Sequence, residues 1–266
     1  MKHPLTLLLI FACLCSAYSQ EGKQKWILGS VQTHLGFSFD VYANYKQQQM
    51  LNQVVSPELI NYQMDKGEVS FVGHNPVESA TMGISFSLYP VDPDTKMLNE
   101  RKEMRFSLFL AEREGLISYY ENFNTPLGSV YNDFTYCIMQ TELAAGMSFL
   151  FHNSPDKSVD AYIGMGGQLG ATVYNDMLMM VYTQEFVDNE IRSTNNDFII
   201  DGHFNIYQRF MGIAGVTFPL LNVGVFRTGL NLETQLGSGI NWVSGGSANW
   251  LPATGSILAG LRFSFF

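Results

Sequence analysis

The sequence predicts an all-β chain whose eight antiparallel strands close, up and down, into a transmembrane β-barrel. Three observations predict it. A two-residue alternation of apolar with small or polar side chains recurs in eight segments, and the links between those segments alternate in length. Beyond the first twenty residues, no stretch approaches the roughly 20 consecutive apolar residues that a membrane-spanning helix needs. A chain that enters a bilayer without such a helix must satisfy its backbone polar groups in a closed sheet.

Residues 1–19 read as an export signal. Lys2 gives a short basic start, residues 5–15 (LTLLLIFACLC) are apolar, and Ala17-Tyr18-Ser19 is a small-x-small cleavage site. A competing reading takes Ile10-Phe11-Ala12-Cys13 as a lipobox with Cys13 lipidated. Cleavage after Ser19 leaves residues 20–266 as one barrel domain and moves the formal net charge from −9 to −10. An acidic chain without a basic run argues against nucleic acid as a partner. Only Cys137 of the three cysteines survives cleavage, so no internal disulfide, zinc site or CxxC redox pair is expected.

The longest alternation spans residues 159–173 (VDAYIGMGGQLGATV). Val159, Ala161, Ile163, Met165, Leu169, Ala171 and Val173 share one face, opposite Asp160, Tyr162, Gly164, Gly166, Gln168, Gly170 and Thr172. At roughly 3.3 Å per residue and a tilt near 40°, eleven such residues rise about 28 Å, the thickness of a hydrocarbon core. The same pattern occurs in residues 34–45, 81–89, 104–111, 142–151, 204–218, 224–236 and 256–265. Of these, 204–218 is the least regular. Eight is an even, closable number of strands.

Short links fall at 90–102, 152–157 and 219–222, each with proline, and long ones at 46–78, 112–133, 174–202 and 238–253. With the amino terminus starting in the periplasm, every short link is periplasmic and every long loop lies at the cell surface, the pattern of an outer-membrane barrel. A soluble secreted ligand-binding barrel would use the same alternation inside out. Its polar face should then be rich in Lys, Glu and Thr, whereas here that face is mostly Gly, Ser, Asn, Gln and Tyr. Small residues suit a narrow eight-strand lumen. Tyr42, Tyr45, Tyr89, Phe149, Phe151, Tyr162, Phe263, Phe265 and Phe266 fall near strand ends, where interfacial aromatic girdles are expected.

On these residues the chain resembles the small outer-membrane β-barrels of Gram-negative bacteria, of the OmpA-barrel and OmpX type. Ala161-Tyr162-Ile163-Gly164-Met165-Gly166 is similar to the PYIGxGxG strand of such barrels from Bacteroidota, and the Ser-Tyr-Ser-Gln exit from the signal has the same flavour. Gly260-Leu261-Arg262-Phe263-Ser264-Phe265-Phe266 resembles the carboxy-terminal strand that barrel assembly machinery recognises, although the apolar parity ends on Phe265 and leaves Phe266 out of phase. The resemblance implies outer-membrane lipid and that machinery as partners. It transfers no functional residue.

Parity turns Asp40, Arg105, Glu142, Asp160, Arg227, Glu233 and Arg262 inward. Charges in a narrow lumen are costly unless paired, so these seven are expected to form a network that fills it. The first and last strands must be neighbours in a closed ring, which suggests Asp40 with Arg262. No cofactor, metal-ligand spacing or catalytic set is expected. His152 with Ser154 is the nearest approach to a nucleophile and base, yet both fall in a periplasmic turn, so an enzyme is not expected. Gly164-x-Gly166-Gly167 has no following helix and reads as barrel packing. Met177-Leu178-Met179-Met180-Val181-Tyr182 reads as a hairpin rising past the membrane or as a binding patch, and Trp242 with Trp250 as an interface belt or a ligand-contacting tip. The expected role is structural, adhesive or accessory to an envelope complex, through the surface loops. A narrow channel for small hydrophobic or ionic solutes is the alternative.

Overall fold

The computed structural model describes residues 25–43, 68–73, 77–92, 94–125, 128–153, 159–187, 190–244 and 248–265. The signal and Cys13, Tyr45, Ser154 and Phe266 lie outside them. The described chain forms ten strands: β1 (Trp26–Val41), β2 (Glu68–Gly73), β3 (Val77–Pro90), β4 (Lys102–Thr125), β5 (Gly128–His152), β6 (Asp160–Val187), β7 (Glu190–Asp201), β8 (Asn205–Val223), β9 (Phe226–Val243) and β10 (Ala248–Phe265). Eight of them close a ring in the order β1-β3-β4-β5-β6-β8-β9-β10, and β10 returns to β1. Every contact is antiparallel, so the chain is an eight-stranded up-and-down barrel.

Alternation decides which way each side chain points. Leu35, Phe37, Ile163, Met165 and Ile257 face outward and are 66–74% exposed, while Ser30, Asp40, Ser85, Asn231 and Arg105 face the lumen at 0–1%. Apolar residues thus clothe the outside and polar ones fill the inside, the reverse of a water-soluble barrel.

β2 and β7 are the additions to the expected eight. β7 pairs β6 through twelve residues, from Asp176↔Asp201 to Val187↔Glu190, directly above the stretch of β6 that pairs β8. β2 likewise pairs β4 above the β3–β4 ladder. Consequently the expected loops at 112–133, 174–202 and 238–253 are largely strand. β4, β5 and β6 continue upward as a wall edged by β2 and β7. At roughly 3.3 Å per residue the 28 residues of β6 are about 90 Å long, far more than a bilayer crossing needs. In the wall Met177, Met179 and Val181 turn inward and join Phe134, Tyr136, Tyr207, Ile200 and Leu251 in an apolar core, whereas Tyr182 is exposed. The segment is therefore a rising hairpin with one buried face.

The opposite end has tight turns. Val223 and Phe226 pair directly, so the link placed at 219–222 is still strand and the turn is Gly224-Val225. Gly224 has φ of +61°, which a side chain would strain by about 1–2 kcal/mol. In the 91–98 turn, the Asp92 carboxylate accepts from the Asp94 amide (2.9 Å) and the Thr95 amide (3.1 Å). Those backbone hydrogen bonds, with Thr95 the larger cause, hold the exposed carboxyl below its ordinary range.

Three assignments to an interfacial girdle are corrected. Tyr42, Tyr89 and Tyr162 are only 1–4% exposed, and their rings lie inside the barrel wall. Phe151 and Phe265 do face outward at the short-turn end, where Phe226 stacks on Phe263 at 6.2 Å between centroids.

Candidate functional site: a charge-sealed lumen

Two quartets of charge cross the lumen. The upper one, toward the wall, joins Asp40 of β1, Arg113 of β4, Glu142 of β5 and Arg209 of β8. Arg209 Nη1 and Nη2 grip Glu142 at 2.6 and 2.8 Å, and its Nε and Nη2 reach Asp40 at 3.3 and 3.1 Å. Arg113 donates to Asp40 and sets its Nε 2.9 Å from Glu142. Thr254 Oγ1 completes Asp40 at 2.5 Å. Both guanidinium carbons lie 4.9 Å from the centroid of Tyr207, whose hydroxyl donates to Gln140 at 2.8 Å. An aromatic face between two cations adds attraction beyond the ion pairs.

The lower quartet comprises Glu103 and Arg105 of β4, Glu233 of β9 and Arg262 of β10. Glu103 Oε1 accepts from Ser87 and Arg105 Nε, both at 2.7 Å. Its Oε2 accepts from Tyr89 (2.9 Å), His152 Nε2 (2.8 Å) and Arg262 Nη2 (2.6 Å). Glu233 takes Arg105 Nη1, the Tyr162 hydroxyl at 2.6 Å and Gln235 at 2.7 Å. His152 Nδ1 bonds Asp160 at 2.6 Å, tying the β5–β6 turn to the quartet.

Between the quartets, Phe109, Ala144 and Leu258 form an apolar disc beside a hydroxyl chain in which His34 Nε2 meets Ser85 (2.6 Å) and Ser85 meets Ser107 (2.8 Å). The His34–Ser85 contact pairs a base with a hydroxyl, but the two are 3% and 0% exposed and enclosed. The cavity lined by Phe109, Gln168, Met211 and Leu258 holds about 30 Å³, enough for one or two waters and little else.

Each quartet carries two carboxylates and two guanidiniums, so each is neutral when all four are ionised. Each buried charge in this arrangement faces an opposite charge, as a low-dielectric lumen demands, although Arg105 Nη2, Arg113 Nε and Arg262 Nη1 have no hydrogen-bond partner among the described residues. Five of the seven residues expected inside, Asp40, Arg105, Glu142, Glu233 and Arg262, belong to the quartets. Asp160 stands at the short-turn mouth with His152, and Arg227 at the rim, 3.5 Å from Glu100.

The expected Asp40–Arg262 pair does not form. Asp40 lies in register with Thr254, whereas Arg262 lies opposite Gln32, eight residues lower on β1. Arg262 instead pairs Glu103. His152, expected in a periplasmic turn, is the last residue of β5 and lies 6% exposed between the Glu103 and Asp160 carboxylates. Sequence reasoning missed Glu103, Arg113 and Arg209. The first two have the same parity as Arg105 but fall just outside the expected 104–111 strand, and extending the alternation by one residue below and two above would have found them.

Small residues on the inner wall make room for these side chains. A Cβ on Gly215 would sit 2.3 Å from Cζ and 2.4 Å from the hydroxyl of Tyr162. Gly215→Val should therefore displace Tyr162 from Glu233 and lower stability by about 1–3 kcal/mol. Denaturant midpoints of the refolded barrel measure the loss, and an unchanged midpoint would show that the ring is not held there.

The fold and lumen define a class: an eight-stranded barrel, apolar outside and sealed inside by matched charge. No known protein family matches the sequence, and no curated protein does. Among solved structures the chain is similar to Neisserial surface protein A, at 11% identity over 89% of this chain and 96% of that one, with a TM-score of 0.33. It is also similar to Ail, the attachment invasion locus protein of Yersinia pestis (11% identity, 90% and 100% covered, TM-score 0.29), and to the outer membrane protease OmpT from Escherichia coli (10%, 93% and 100%, 0.19). At these scores the fold rests on the chain's own strand register. None of the three comes from the Bacteroidota, so the likeness of the 161–166 segment to barrels of that group gains no support from them.

Proposed function

We propose that the chain is an integral outer-membrane β-barrel that conducts nothing, catalyses nothing, and serves as a rigid base for the strand wall above it. That wall acts in adhesion, in envelope structure, or as an accessory surface for another envelope protein. The observation that carries this reading is the pair of neutral quartets across the lumen, inside a wall whose outer face is apolar. A continuous ion path would need polar space along the axis, and the gaps found between the quartets hold about 30 and 10 Å³. Lipid of the outer membrane covers the belt, and barrel assembly machinery engages the end of β10.

The test is heat modifiability. Unboiled protein extracted from outer membranes is expected to migrate as a compact SDS-resistant band that shifts on boiling, and in planar bilayers it should give no unitary openings. An unshifted band in the soluble secreted fraction would overturn the membrane reading. Steady openings that vanish when Arg262 is replaced would favour the narrow channel instead.

A further inference from the structure

β7 borders the strand wall with one side paired and the other open. It pairs β6 without a bulge, and among the described residues no strand pairs its other side. Every residue from Glu190 to Asp201 except Ile200 is exposed, with Ile191 at 59% and Ile199 at 71%. Open edges invite pairing, and proteins usually blunt them with proline, lysine, a bulge or a short strand. β7 has twelve residues and none of these devices, whereas β2 at the opposite edge has six residues.

The phase of the open edge is fixed. The Gly202 amide donates to the Asn175 carbonyl at 2.8 Å, one step beyond the Asp176↔Asp201 pair, so Gly202 turns its backbone bonds toward β6. Antiparallel ladders alternate, so the even-numbered residues of β7 bond β6. Ile191, Ser193, Asn195, Asp197 and Ile199 then present their amides and carbonyls outward. An identical strand running the other way, related by a two-fold axis at Asn195, matches this edge. Ile191 meets the partner's Ile199, Ser193 the partner's Asp197 and Asn195 the partner's Asn195. With the symmetric repeats, that is five pairs, each exchanging two backbone hydrogen bonds. On the other face Arg192 lies beside the partner's Phe198, a cation beside a ring, and Thr194 beside the partner's Asn196. No like charges oppose each other. Sliding the strand by two residues sets Ile191 against the partner's Asp197 in one direction and against the partner's Asp201 in the other.

We propose that β7 pairs antiparallel with β7 of a second copy, in the register centred on Asn195, and joins the two walls into one sheet. The contact is isologous and consumes both open edges, so it stops at two copies. Antiparallel pairing sets the two barrels at opposite ends of the shared sheet. In outer membranes it links two facing membranes, and two copies in one membrane cannot form it. The facing membranes rest on the adhesive membrane reading above; the pairing itself rests only on the sheet. The mature chains, each at −10, repel one another, so salt strengthens the pairing.

The experiment is size-exclusion chromatography with light scattering on the full mature chain, refolded in detergent, over a range of concentrations. A concentration-dependent dimer is expected, favoured by salt. Asn195→Pro removes an outward amide at an edge where proline leaves the β6 ladder intact. It should weaken the dimer at least about tenfold and keep the heat-shifted band, while Asn195→Ala should keep the dimer. In a Cys137→Ser background, Asn195→Cys should cross-link to its partner through a short bis-maleimide. Glu190→Cys should not, because its two copies lie ten residues apart, roughly 33 Å. A monomer at every concentration, a dimer indifferent to Asn195→Pro, or equal cross-linking at both positions would each overturn the proposal. A missing heat shift counts against the membrane reading, and a missing dimer in shifted protein counts against the pairing. Vesicles carrying the protein should clump and those carrying Asn195→Pro should not; a dimer in detergent without clumping would overturn the link between facing membranes.

Discussion

Replacing Glu103 by glutamine should destabilise the refolded barrel by about 3–5 kcal/mol, the cost of breaking a buried ion pair by removing one partner. The substitution leaves Arg105 and Arg262 facing a neutral amide within a fully buried set whose carboxylate takes five hydrogen bonds. Equilibrium unfolding in urea, followed by tryptophan fluorescence and by loss of the heat-shifted band, measures the change. Combining Glu103→Gln with Arg262→Gln restores neutrality, so the double variant should lose less than the two single losses together. That difference is the coupling a double-mutant cycle isolates. A loss below about 1 kcal/mol for Glu103→Gln alone would mean that the quartet does not seal the lumen.

The second large effect concerns the outer face, and it depends on depth. Leu232 points outward from the middle of β9, in register with Ala259 and Val216. Leu232→Arg should cost about 2–4 kcal/mol in a lipid bilayer. Phe226 also points outward but begins β9 beside Phe263 and Phe265 at the short-turn end, so Phe226→Arg should cost only about 0–1 kcal/mol. Refolding both variants into vesicles and titrating with urea gives the two values. Equal, small losses would contradict a lipid-facing belt.

The faces of the barrel were legible in the sequence because a period of two cannot be satisfied both ways: Leu35, Ile163 and Ile257 had to lie opposite Ser38, Gly164 and Ser256. Five quartet members followed from parity alone. Strand ends were less legible. Above the ring, Met177 and Val181 bury in a wall of sheet, and nothing in their local alternation distinguishes a protruding strand from a loop of mixed residues. Pairing was less legible still. Asp40 and Arg262 lie on adjacent strands, but adjacency fixes a neighbour and says nothing about height, which depends on register across the whole ring. Tyr89 and Tyr162 misled for a related reason: an aromatic at a strand end suits either the interface or the lumen, and one residue of parity decides.

The quartets also set an order of events. Asp40 comes from the first strand, Thr254 and Arg262 from the last, and their partners Arg113, Arg209 and Glu103 from strands between. Neither quartet is complete in any single hairpin, so a curled but unclosed sheet would present unmatched guanidiniums and carboxylates within the bilayer. Such an intermediate is penalised until the seam between β1 and β10 zips. Closure and neutralisation should therefore occur together, as one late, all-or-none step that slows unfolding of the finished barrel far more than it speeds folding.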